Sequence, residues 1–212
     1  MTTRHTLELD FTSFIIAAAI IGTVLAMTSN HNSKSPSSFV IPVIQNTNSL
    51  PSIAPNNKTI SVQLSPDGTK KVTMTTIVNS TKTKSYTITT STDSGEDETT
   101  VYTTNLPQSE SLNIPFNTWS PDNQYIFIEH ITSDNTEALV MRADGKPLSG
   151  SENTFNVTNL FDLRNTGNSY QQTTGWAADN LLIINTTKNG AKSASYWFEV
   201  PSKAIIPLST QF

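Results

Sequence analysis

The residues able to do chemistry are few. Three aspartates recur at nearly even spacing, in Leu64-Ser65-Pro66-Asp67-Gly68, Trp119-Ser120-Pro121-Asp122-Asn123 and Trp176-Ala177-Ala178-Asp179-Asn180. Asp67, Asp122 and Asp179 lie 55 and 57 positions apart. Carboxylates gathered on one rim could hold a cation or share acid–base work. Each also sits where a tight turn needs it. Proline presets φ, aspartate bonds its own backbone, and Gly or Asn tolerates positive φ. The turn role is the reading favoured for all three. His130 is the only histidine after His31, and the sequence suggests no further ligands for a metal beside it. The run Asp93-Ser94-Gly95-Glu96-Asp97-Glu98 is the densest charge, but it lacks EF-hand spacing and reads as a solvated hairpin tip. There is no G-x-S-x-G elbow, Gly-rich phosphate loop or H-E-x-x-H. The residues therefore predict no catalytic group, metal or cofactor.

The aromatic residues point to packing. Trp119 and Trp176 hold equivalent positions before their turns, and Leu64 fills that position in the first copy. Such equivalence predicts core sites rather than a sugar-stacking platform. Tyr196 and Trp197 are adjacent on a strand-like run and so point to opposite faces. One of the two is expected to reach a contact surface.

Composition narrows the classes. The 212 residues include 33 Thr, 25 Ser and 20 Asn, but no Cys. Disulfides, zinc–cysteine sites, iron–sulfur clusters and cysteine nucleophiles are thereby excluded. A net charge of -4 argues against a nucleic-acid partner, which would need a basic face. Four N-x-Ser/Thr sequons, at Asn57, Asn79, Asn156 and Asn185, matter only in a host that glycosylates exported proteins.

The elements that must position these residues begin with an apolar, uncharged segment, Phe11 to Met27. Its length is near the short end for a bilayer span. Two readings lead, an uncleaved anchor spanning residues 11–27 and a cleaved secretory signal ending near Ala26, ahead of a buried core helix. Both export residues 28–212, placing the bulk of the chain outside the cytoplasm as a single-pass membrane protein or secreted product. Residues 28–58 form a Ser/Asn/Pro-rich linker interrupted by the apolar island 39–44. Residues 59–212 follow as three repeats, about 59–110, 111–170 and 171–212.

Each repeat is read as a four-stranded antiparallel meander. The first takes Ile60–Leu64, Val72–Val78, Ser85–Ser91 and Thr99–Thr104. The second takes Ile114–Trp119, Gln124–Ile131, Glu137–Arg142 and a strand near Phe155–Leu160. The third takes Gln172–Trp176, Leu181–Thr187, Ser193–Val200 and Ala204–Leu208. No amphipathic helix is evident beyond the N-terminal segment. Gln124–Ile131 is apolar on both faces and should be covered on both. Val72–Val78 alternates, with Thr73 and Thr75 on a wet face. Leu181-Leu182-Ile183-Ile184 is apolar on both faces, which implies cover from the 39–44 island or from another chain.

The Ser-Pro-Asp-Gly turn followed by a hydrophobic strand resembles the WD40-like Asp-turn repeats of TolB-type β-propellers, repeats also found in the propeller domains of prolyl-oligopeptidase-like enzymes. The resemblance covers about residues 59–209. It is strongest in Trp119-Ser120-Pro121-Asp122-Asn123-Gln124-Tyr125-Ile126. It implies an all-β fold of three blade-like repeats, a partial or open propeller, because closed rings need four to eight blades. It further implies a binding or scaffolding module for a protein or envelope partner. A homo-oligomer that completes the ring is a second partner reading. The alternative function is an extracytoplasmic hydrolase that uses rim carboxylates.

Overall fold

The computed structural model describes residues 57–164 and 166–209. The anchor or signal at 11–27, the linker up to residue 56 and the 39–44 island lie outside the described residues.

Apart from one short helix, the regular elements of the described chain are all strands. Three antiparallel sheets follow one another along it. The first contains β1 (Lys58–Leu64), β2 (Lys70–Val78), β3 (Thr83–Thr92) and β4 (Thr99–Pro107), in sequence order. The second contains β5 (Ser111–Asn113), β6 (Tyr125–Ile131), β7 (Thr136–Arg142) and β8 (Thr154–Asn156). The third contains β9 (Ser169–Ala178), β10 (Leu181–Lys188), β11 (Ala191–Lys192), β12 (Tyr196–Glu199) and β13 (Ala204–Pro207). Its order is β11-β10-β12-β13, with β9 also paired to β10. The three sheets do not close into a ring.

Alternation along each strand decides what packs where. Val72 and Met74 of β2 share a face with Ile88 of β3, because Met74 lies opposite Ile88 in the register. That face meets Ile126 and Ile128 of β6 and Leu139 and Met141 of β7 in one apolar core. Phe127 and Val140 point to the opposite face, where they join Leu182, Ile184 and Phe198 in a second core. The middle sheet is thus covered on both faces. Its β6 residues Ile126, Phe127 and Ile128 are all fully buried.

The two junctions share a device. The Trp119 indole N–H donates to the Gln63 carbonyl of the first repeat at 3.2 Å. The Trp176 indole N–H donates to the Thr118 carbonyl of the second at 3.1 Å. Each acceptor immediately precedes the tryptophan-equivalent position of its own repeat. Trp119 is buried, and Trp176 is half-buried against Tyr125 and Phe127. Close approach also requires two glycines. A Cβ on Gly145, where φ is +70°, would fall 2.8 Å from Thr99 Cγ2. A Cβ on Gly175, where φ is +139°, would collide with the Asn117 amide.

Four expectations need correction. The expected strand at Phe155–Leu160 ends at Asn156, and α1 (Val157–Leu163) follows. The expectation of no helix therefore fails here. Asn156 is the N-cap, and its side chain accepts from the Asn159 N–H at 2.9 Å. Val157, Thr158 and Phe161 form the buried face of that short helix. Thr158 Oγ1 also accepts from the Ala138 N–H at 3.1 Å, tying α1 to β7. Packing overrides the β-propensity of Val and Thr at these positions. The expected strand Ile114–Trp119 is also broken. Pro115 interrupts it, the Thr118 N–H turns back to the Pro115 carbonyl, and only a single bridge joins Trp119 to Ile126. The expected strand Ser193–Val200 narrows to β12, because residues 193–195 leave the ladder after β11.

Candidate functional site

The three repeated aspartates stand at equivalent turns, and two of them are engaged there. Asp67 Oδ1 accepts from the Thr69 N–H at 3.0 Å and from the Ser65 hydroxyl at 2.7 Å. Ser65 Oγ accepts in turn from the Lys70 N–H. Asp122 Oδ1 repeats the pattern, taking the Ser120 hydroxyl at 2.6 Å and the Gln124 N–H at 3.1 Å. Ser120 Oγ accepts from the Tyr125 N–H. The Thr69 N–H, the Ser65 hydroxyl and the Asn123 side chain hold the Asp67 carboxyl well below the usual carboxylate range. Gly68 and Asn123 follow these aspartates at φ +72° and +57°. Asp179 is exposed in the turn between β9 and β10, where Ala177 replaces the serine. Removing the second lock with Asp122→Ala should cost on the order of 1 kcal/mol by thermal or urea melting. A Ser120→Ala variant should cost about as much, because the two side chains act as one unit.

A polar node surrounds His130. Its Nε2 lies 2.8 Å from Glu110 Oε2, and its Nδ1 lies 3.2 Å from Glu137 Oε2. The Asn156 amide also donates to Glu137 at 2.9 Å. Burial, aided by the Glu137 charge, pushes the Asp162 carboxyl up. The node ties together β6, β7, the N-cap of α1 and the connection between the first two sheets. The carboxylates sit on opposite edges of the imidazole, so one cation could not bind the ring and both acids. Among the described residues no group of three His, Asp or Glu side chains is arranged to hold a metal. The sequence suggested no further ligands beside His130. The useful signal was register, since Glu137 lies directly across the ladder from His130.

Other charged features are turn and surface elements. The loop 93–98 is exposed throughout. Arg142 grips Asp144 with two hydrogen bonds of 2.9 Å. That grip holds the Asp144 carboxyl well below the usual carboxylate range. An open groove of about 460 Å³ is lined by Arg164, Thr166, Tyr196, Ala204, Ile205 and Pro207.

Tyr196 requires a correction as a contact-surface residue. It is buried, with its ring edge-on to Phe161 and its hydroxyl accepting from the Asn168 amide at 2.7 Å. Even-numbered β10 residues and Tyr196 and Phe198 of β12 face the middle sheet, so Tyr196 belongs to the core. Its neighbour Trp197 lies on the outer face opposite Ile183 and is only half-buried.

Among the described residues, apolar side chains remain exposed on the two end faces. On the outer face of the first sheet, Ile60, Val62 and Leu64 of β1 are 58%, 55% and 52% exposed. Register places them beside Thr75, Thr73 and Lys71, opposite the buried Val72 and Met74. Ile77 extends this apolar row. On the outer face of the third sheet, Leu181, Ile183 and Trp197 are half-buried and Ile206 is exposed. Such contiguous apolar rows mark contact surfaces more often than catalytic sites.

No family model and no curated protein matches the chain. Among solved structures it is similar to the AtxE2 isopeptidase with Astexin3-dC4 bound, at 10% identity and a TM-score of 0.47. That match covers 72% of this chain but only 30% of the isopeptidase, and a likeness of this size carries no argument about function.

Proposed function

We propose that the chain is a membrane-anchored, extracytoplasmic binding or scaffolding module whose folded part is a partial, open β-propeller of three blade-like repeats. The apolar segment at residues 11–27 supports the anchor. The repeated turns, the face-to-face sheets and the Trp119 and Trp176 positions support the blade reading. The observation that carries the binding role is the exposed row Ile60, Val62 and Leu64 on β1, the edge strand of a sheet whose other face is packed through Val72 and Met74 of β2. Burying such a row against a partner releases about 25 cal/mol for each Å² of apolar surface removed from water. The carboxylates Asp67 and Asp122 serve their own turns.

The test uses the full chain displayed in its native envelope. Val62→Lys should abolish recovery of whatever protein the wild type retains after crosslinking, while leaving the melting temperature unchanged. Hydrolysis of a peptide or glycan panel that disappears with Asp122→Asn would overturn the binding role in favour of catalysis.

A further inference from the structure

We infer that the partner of both end faces is a second copy of this chain, with the first sheet of each copy seated on the third sheet of the other around a two-fold axis. This rests on the binding reading above and names its partner. The argument is continuity with the two junctions already inside the chain. Each internal junction joins the outward face of one sheet to the facing side of the next, through alternate apolar residues on the same strands. The outer face of the third sheet is the next surface in that series. Leu181 and Ile183 alternate with Leu182 and Ile184, which already fill the second core. The outer face of the first sheet is the preceding surface. Leu64 stands there at the position held by Trp119 and Trp176, the residues that reach back to the preceding repeat. Among the described residues no repeat precedes β1 for that position to reach. The two faces are different, so one junction alone would add copies without limit. Two junctions around a two-fold axis would close the assembly at two chains.

The chain has no native cysteine, which makes the test clean. Full-length Val62→Cys and Ile183→Cys chains are purified in detergent and treated with a short bis-maleimide, alone and mixed. The expected result is efficient crosslinking only in the mixture, and dimers without larger species in the double variant. Crosslinking of Val62→Cys with itself would overturn the pairing of unlike faces. A ladder of trimers and larger species would overturn closure. Uncrosslinked chains with unchanged melting temperatures would overturn the second copy altogether. If Val62→Lys still abolished partner capture in that last case, the binding role would stand without self-assembly. Should either cysteine variant unfold, Ile60→Cys and Ile206→Cys probe the same faces.

Discussion

Trp119→Ala should lower the stability of the folded region by about 3–5 kcal/mol, the usual range for deleting a buried tryptophan. A chain of this size should then melt roughly 10 °C lower. The side chain is 3% exposed and belongs to the core between the first and second sheets. Its loss removes the ring and leaves the Gln63 carbonyl without its indole donor. Trp119→Phe separates the two effects. It fills most of the space and forfeits the hydrogen bond, so it should recover most of the stability. Hydrogen exchange adds location. Amides of β2 and β3 should lose protection before those of β10 and β12, because the lost side chain serves the first junction only. An unchanged melting temperature for Trp119→Ala would show that this residue does not hold the junction.

Phe127→Ala should cost a similar amount, about 3–5 kcal/mol, but at the other junction. Phe127 is fully buried and faces Leu182, Ile184 and Phe198. It also packs edge-on against Trp176, with ring centroids 6.3 Å apart. The cavity would open between the second and third sheets. Exchange should therefore rise first in β10 and β12 while β2 and β3 stay protected. In the double variant with Trp119→Ala the penalties should add only in part, because the Trp119–Ile126 bridge and the Phe127 N–H bond to the Thr118 carbonyl join the two segments. Full additivity would mean that these links do not couple the two cores.

Much of this architecture was legible in the residues. The strands of the first repeat emerge near the expected positions because Thr-rich alternation and the Ser-Pro-Asp-Gly turn agree with each other. The double apolar face of β6 announced its cover on both sides. The limits have physical causes. Val157 and Thr158 are good strand residues, and only the Asn156 cap and the burial of Phe161 turn that segment helical. Pro115 breaks a strand that its neighbours would otherwise form. Tyr196 and Trp197 were correctly placed on opposite faces, but alternation alone cannot say which face is inside. The candidate site was less legible still. Ile60, Val62 and Leu64 look like core residues in the sequence, yet among the described residues no sheet packs on their face. The acids around His130 come from positions 110 and 137, which only strand pairing brings to one imidazole.

The direction of the two indole bonds has a consequence for biosynthesis. Each tryptophan donates backward, to backbone that a ribosome makes earlier. The first sheet is built from successive hairpins and can form from local contacts as soon as Pro107 has emerged. It then offers a finished acceptor to Trp119, and the second sheet later does the same for Trp176. Assembly can thus advance from the N-terminus without waiting for the C-terminus, each completed unit serving as the template for the one still being translated.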